Sequence, residues 1–182
     1  MGYWNTRGLR GSALEDRINM TNELYKRKGI ALIQKVPTPI KPIKIDKEKR
    51  VITLAYFEQK STVDYIGVVQ GIPICFDAKE TALKSLPLAN VHAHQIEFMR
   101  AFKDQGGEAF LIVYFKKYDE HYLMDIDTLE FYYNEAVKGG KTSISYEQFD
   151  KSYMISVENG MFLNYLKVVD VYLSNREQHK NE

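Results

Sequence analysis

Apolar positions along this chain keep two different rhythms, and the change from one to the other marks its elements. Leu14, Ile18, Met20, Leu24 and Tyr25 fall at an imperfect helical spacing behind Ser12, a helix-opening residue, and Gly29 stands where such a helix ends. A strand follows over 30–36. The next stretch, 37–45, holds Pro37, Pro39 and Pro42, which forbid a helix or a central strand. Ile43 and Ile45 alternate there with lysines. Residues 46–50 are charged and turn the chain, and 51–57 returns as a second extended run, so a projecting two-stranded arm is predicted. Strands are predicted over 63–69 and 72–78, joined by the hairpin punctuation Gln70-Gly71, and over 108–115 and 120–125. Helices are predicted over 90–103, where Val91, Gln95, Phe98, Met99 and Phe102 line one side and Gly106-Gly107 stops the run, and over 126–137 and 161–173. Residues 1–11 read as a flexible arm and 174–182 as a polar tail. The order predicts a mixed α/β fold with helices around one central sheet.

Composition refines this picture modestly. The 182 residues, 45% hydrophobic, suit one compact domain, 1–182, with 37–57 as an insertion. The formal net charge is only +1. Between residues 26 and 60, however, ten basic residues oppose only Asp46, Glu48 and Glu58, a local excess of seven positive charges. The single cysteine, Cys75, lies in an apolar run and reads as a buried small hydrophobe. No apolar run suggests a signal peptide or a membrane span, and a reducing, cytoplasmic setting without a membrane partner is the expectation.

The chemistry is concentrated in Thr62-Val63-Asp64 and in Phe76-Asp77-Ala78-Lys79-Glu80. Side chains alternate along a strand, so Asp77 and Lys79 share one face, and a 63–69/72–78 hairpin can bring Asp64 to them. Two carboxylates beside a lysine suit phosphodiester hydrolysis. The acids hold a hard cation such as Mg²⁺, with Mn²⁺ as a substitute, and the lysine orients water or stabilises the transition state. Taken alone, Asp-x-Lys is more often a merely solvated charge pair on an exposed strand. What favours chemistry is that Asp77 and Lys79 follow the apolar run Ile72, Ile74, Cys75 and Phe76, where charge has to be paired or coordinated.

A longer set of stretches is more specific: Arg7-Gly8 with Leu14-Glu15; Thr21-Asn22; Lys35 to Pro39; Ala55-Tyr56-Phe57; Ser61 to Tyr65; Phe76 to Thr81; and Pro87-Leu88 with His92 to Glu97. On these the chain resembles the RecU family of Holliday-junction resolvases, which share the PD-(D/E)xK restriction-endonuclease core. The resemblance implies metal-binding roles for Thr62, Asp64, Asp77 and Gln95 and a transition-state role for Lys79. It also implies a homodimer acting on four-way DNA with paired nicks, and a strand-exchange recombinase as a further partner. The family usually has Glu where this chain has Asp77, one methylene shorter. The chain begins close to Arg7-Gly8, so a compact member without the longer N-terminal extension is expected.

Other candidates carry two readings. Glu15 either closes a capping box with Ser12 or, as in relatives of the superfamily, stands beside the metal. His92 and His94 lack partners at zinc-ligand spacing. The arm is either a solvated edge ribbon guarded by prolines and lysines or, as the resemblance implies, a stalk entering the junction centre. In the second reading Lys41, Lys44, Lys47, Lys49 and Arg50 meet phosphates, Tyr56 and Phe57 stack on bases, and Arg7 adds a contact from the leading arm. The functional expectation is a junction resolvase. A junction-binding protein with weak or no cleavage, and a duplex endonuclease of restriction type, are the alternatives.

Overall fold

The computed structural model describes residues 13–57, 62–158 and 160–180, the side chains of the last two excepted. In chain order the elements are α1 (Ala13–Arg27), β1 (Ala31–Lys35), β2 (Ile40–Asp46), β3 (Val51–Phe57), β4 (Tyr65–Val69), β5 (Ile72–Thr81), β6 (Ser85–Pro87), α2 (Ala93–Asp104), β7 (Glu108–Phe115), β8 (Glu120–Asp125), α3 (Ile126–Val137), β9 (Ser143–Ser145), β10 (Met154–Ile155) and α4 (Tyr165–Lys180), with short 3-10 turns between some of them.

Six strands form one mixed sheet in the order β1-β4-β5-β7-β8-β10, in which only the β5–β7 pairing is parallel. Strand alternation divides the core into two layers. Ile74, Phe76, Phe110 and Ile112 face Leu14, Ile18 and Tyr25 of α1 and Tyr165, Leu166 and Val169 of α4. Cys75, Ala109, Leu111 and Val113 face the other way, onto Ile96 and Met99 of α2 and Ile126 and Leu129 of α3. The expected mixed α/β architecture is therefore present, with β5 in its interior. Burying Phe76 alone stabilises the fold by about 1.5–3 kcal/mol. Its ring stacks between Tyr65 on β4 and Phe110 on β7, at centroid separations of 4.8 and 5.0 Å. Three neighbouring strands are thus locked from one side.

Local chemistry explains the joints. Gln70 and Gly71 both take positive φ, 48° and 93°, the conformation of a two-residue hairpin turn whose twist matches its strands. Gly67 allows a close approach instead: a Cβ there would lie 2.3 Å from the Leu32 carbonyl oxygen on β1. Asp125 caps α3 by accepting from the Asp127 and Thr128 amides.

Several sequence expectations need correction. The last helix starts at Tyr165, four residues later than predicted, and continues through 180, so most of the supposed polar tail is helical. Thr21 holds the intervening loop by accepting from the Leu163 amide, and Tyr165 donates to Asn22. The tail is anchored because Arg176 donates to both carboxylate oxygens of Glu108, at 2.9 and 2.6 Å. The predicted helix over 90–103 begins only at Ala93, behind a 3-10 turn over Leu88–Asn90. Met20, placed in the apolar stripe of α1, is exposed. The small β6–β9 sheet and β10 were not anticipated; each has two or three residues, too few to show a period. Among the described residues, no helix is long and apolar enough to cross a membrane.

The arm is present as a separate two-stranded sheet, β2 with β3. Its tip is a turn held by the Lys49 amide donating to Asp46 Oδ1 at 3.0 Å, with Arg50 at φ 53°.

Candidate active site

The pairing of β4 with β5 builds the site. Tyr65 lies opposite Phe76, and continuing that register by one residue sets Asp64 opposite Asp77. Tyr65 and Phe76 belong to the α1–α4 layer, so the two acids fall on the α2 side. They hold each other through the backbone: the Asp64 amide donates to Asp77 Oδ1 at 3.1 Å, and the Ala78 amide donates to Asp64 Oδ2 at 2.9 Å. The Asp64 carbonyl in turn accepts from the Val36 amide at 2.8 Å. That bond joins the residue just before the arm to a site residue.

Asp77 is fully buried, at 0% exposure, at the middle of β5. Lys79, two residues on and on the same face, forms an ion pair with its Oδ2, which otherwise takes no hydrogen bond. Lys79 Nζ also donates to Gln95 Oε1 at 3.4 Å, and the His92 amide donates to the same oxygen at 3.1 Å. Gln95 lies buried in the first turn of α2. Thr62 is half-buried in the coil two residues before Asp64.

Electrostatically the pair is strained. Burial, the hydrogen bond with Asp77 and the charge of Asp77 raise the Asp64 carboxyl to about 7, opposed by the Ala78 amide and by Lys79. Two carboxylates confined this way gain from a shared cation. The donor set is all oxygen, suited to hard divalent ions rather than zinc or copper. Among the described residues no group of three or more His, Cys, Asp or Glu could hold a metal, so the carboxylates on offer at the hairpin are those of Asp64 and Asp77. A small octahedral cation bound through one or two carboxylates, with water and phosphate completing its shell, fits that number. The buried Asp77 Oδ2, short of hydrogen bonds, fits it too.

The structure therefore brings Asp64, Asp77, Lys79 and Gln95 together. Glu15 is held elsewhere: it is in the first turn of α1, which packs on the opposite layer, and its carboxylate accepts from Lys35 at 2.7 Å. Ser12, its partner in the capping-box reading, and Arg7 lie outside the described residues. Lys41, Lys44, Lys47, Lys49, Arg50, Tyr56 and Phe57 are all exposed on the β2–β3 ribbon. Sequence reading missed the backbone donors at Ala78, His92 and Val36, because an amide leaves no trace in residue identity. His92 and His94 stack at 5.4 Å near the start of α2.

Comparison with known proteins identifies the family. The family model of recombination protein U, RecU, matches residues 9–171. The chain belongs to the RecU family. It is 44% identical to the Holliday junction resolvase RecU of Oceanobacillus iheyensis over 88% of this chain and 85% of that one. Its identity to the Holliday junction resolvase RecU of Ligilactobacillus salivarius is 42%, over 92% and 81%. For the one from Staphylococcus epidermidis the identity is 44%, over 90% and 81%. A solved structure of Hjc, a Holliday junction resolvase from Archaeoglobus fulgidus, aligns over 62% of this chain and 74% of that one, at 12% identity and a TM-score of 0.36.

Proposed function

We propose that this RecU-family chain is a Holliday junction resolvase, an endonuclease that uses Mg²⁺, or Mn²⁺ in its place, to nick four-way DNA. The observation that carries the reading is the convergence of Asp64, Asp77 and Lys79 on one face of a buried hairpin. Asp64 and Asp77 would hold the cation, with Thr62 in the adjoining coil and Gln95 at the start of α2. When bound, the cation lowers the pKa of water and offsets negative charge developing on the phosphate. Lys79 has three N–H groups, of which Asp77 and Gln95 take two; the third can donate to a phosphate oxygen as charge builds there. The Asp64–Asp77 backbone bonds keep the acids in place while the substrate arrives.

Recognition falls to the ribbon. Its lysines and Arg50 would meet phosphates, and Tyr56, paired opposite Lys41, and Phe57, opposite Ile40, would lie against unstacked bases at the crossover. Because Val36 is bonded to Asp64, a junction seated on the ribbon is also brought to the acids. A four-way junction is approximately two-fold symmetric, so the working species is a homodimer with two equivalent sites, each cutting one strand. A strand-exchange recombinase is a further partner consistent with such a role.

Cleavage of a mobile four-way junction, a linear duplex and a single strand, compared with and without Mg²⁺, tests this. Metal-dependent, paired, symmetric nicks in the junction alone are expected. Equal cutting of the linear duplex would make the protein a restriction-type nuclease. Tight junction binding without cutting under either metal would make it a binding protein, an outcome the shorter Asp77 side chain would explain.

A further inference from the structure

We infer that Lys84 and Lys117 form a second phosphate-binding site, one that takes the backbone of the duplex arm running away from the cut. The inference rests on the nuclease reading above and extends it from the junction centre to its arms. Strand directions place the pair at the same end of the sheet as the chemistry. β5 and β7 are parallel, while β4 and β8 run against them and β1 against β4. At one end of the sheet, therefore, β1, β5 and β7 finish and β4 and β8 begin. The ribbon leaves from that end, between β1 and β4. Lys117 lies in the β7–β8 turn and Lys84 in the loop after β5, across the sheet from the ribbon. Asp64 and Asp77 thus stand between two basic elements on a common rim.

Packing holds the two lysines together. The Tyr146 amide donates to the Lys84 carbonyl at 2.9 Å, one residue beyond the β6–β9 pairing. The Tyr146 ring stacks on Tyr118 at a centroid separation of 3.9 Å, and the Lys117 ammonium lies 5.9 Å from the Tyr118 centroid. Both tyrosines pack on the α2 side of the core, the face that carries Asp77 and Lys79. Lys151 and Glu120 brace the stack. The Lys151 ammonium is 4.0 Å from the Tyr146 centroid, and Glu120 accepts from the Tyr146 hydroxyl at 2.5 Å and from Lys151 at 3.1 Å.

What the pair wants is an anion. Lys116 is matched by Glu80 and Lys151 by Glu120. Lys84 and Lys117 are exposed and, among the described residues, neither forms an ion pair with an acid. The Glu147 carboxyl is lowered first by hydrogen bonds from its own backbone and the Ser145 side chain, and only then by Lys84. Desolvation lowers the Lys117 ammonium, and the charge and hydrogen bond of Lys84 lower it further. Two cations held this close are relieved by an anion that bridges them, and DNA at the neighbouring acids brings phosphates past them. Lys79 and Thr81 are separated by roughly 7 Å along β5, and Lys84 follows three residues later. Each base pair adds about 3.4 Å of axis, so the pair meets the backbone a few nucleotides from the cut.

The test pairs a protein change with a DNA change. The double variant Lys84→Gln with Lys117→Gln removes both charges and keeps most of each aliphatic stem. The cut is first mapped with the parent in Mg²⁺. Junction affinity is then measured in Ca²⁺ on junctions in which one phosphate at a time, stepping away from the cut, is replaced by a neutral methylphosphonate. In the parent, one or two positions within about six nucleotides of the cut are expected to weaken binding about threefold to tenfold. The double variant is expected to lose a similar factor on the unmodified junction, to show a salt slope shallower by about two, and to be indifferent to methylphosphonate at those same positions. Parent-like affinity and salt slope in the double variant would overturn the inference and leave the nuclease reading intact. So would a loss at those positions that simply adds to the variant's own. A parent that cuts no DNA overturns the nuclease reading, and the arm site with it.

Discussion

Two antiparallel hairpins follow one another in this chain and are built for opposite ends. β4–β5 lies inside a six-stranded sheet with a helical layer on each side of its core, and the Asp64 and Ala78 amides are both spent on the two carboxylates. β2–β3 pairs only with itself, and its Ile43, Leu54 and Phe57 are 59%, 53% and 75% exposed. A free-standing ribbon has no second layer against which to bury either face, so its apolar and basic side chains both meet solvent. Chemistry on a phosphate demands atoms fixed to a fraction of an ångström, which the buried hairpin provides. Gripping a branched, deformable polyanion, the role proposed for the ribbon, demands reach and charge instead, which an exposed basic hairpin would supply. Substitutions should therefore divide: in β4–β5 they break turnover, and in β2–β3 they break binding.

The largest expected effect is on turnover. Asp64→Asn preserves shape but removes a carboxylate, and Lys79→Ala removes the ammonium. Each is expected to lower the single-turnover rate of junction cleavage by roughly a thousandfold. Junction affinity, measured by gel shift in Ca²⁺, should stay within about threefold, because phosphate contacts on the ribbon are untouched. If either variant cuts at the parent rate, the two hairpins do not divide the work in this way.

How much of that division was legible beforehand differs between the two regions. The ribbon could be read almost completely, since three prolines, alternating isoleucines and a run of bases leave few other structures. The central sheet with helices around it followed from the strand runs and helical stripes, but the order of its strands did not, since the burial of β5 and β7 on both faces leaves their neighbours unspecified. In the site, Asp77 and Lys79 were readable from strand alternation. The opposition of Asp64 and Asp77 was only conditional until the Gln70-Gly71 turn fixed the register. The Lys79–Gln95 contact was not readable from spacing at all, since it joins a strand to a helix 16 positions later. The late start of α4 was hidden for a different reason: Met161 and Leu163 are apolar core residues, yet they pack from a loop held by Thr21.

A smaller effect is expected at the ribbon tip. Replacing Lys47, Lys49 and Arg50 together by alanine removes three exposed charges without touching the core. Junction affinity near physiological salt should fall about tenfold to a hundredfold, and the slope of log K against log[salt] should become shallower by about two to three. Cleavage of saturated junction should remain near the parent rate, and the melting temperature should hold. An unchanged salt slope would return the ribbon to a solvated edge with no part in DNA binding.

The smallest effect is a matter of pH, and it marks the buried hairpin alone. Without metal, Asp64 ionises only near pH 7 in the fold, whereas its ordinary value is 3.8. The unfolded chain therefore releases this proton first. The stability it contributes is complete below pH 3.8 and is lost as pH rises through 7. On the acid side, His121 does the reverse. Burial and the Arg17 charge lower it to about 4 from 6.5, so the fold loses stability as pH falls through that window. Over about pH 4–6.5 the two slopes oppose and largely cancel, so metal-free protein should melt nearly evenly there and slightly lower at pH 8, once His121 no longer offsets Asp64. Saturating Mg²⁺ should remove the alkaline loss, since a cation held by the ionised pair binds only the folded chain. In Asp64→Asn the alkaline slope should vanish while the His121 slope persists; the triple ribbon variant should keep both. An alkaline slope that survived Asp64→Asn would mean that the strain between the two carboxylates is not what a cation relieves there.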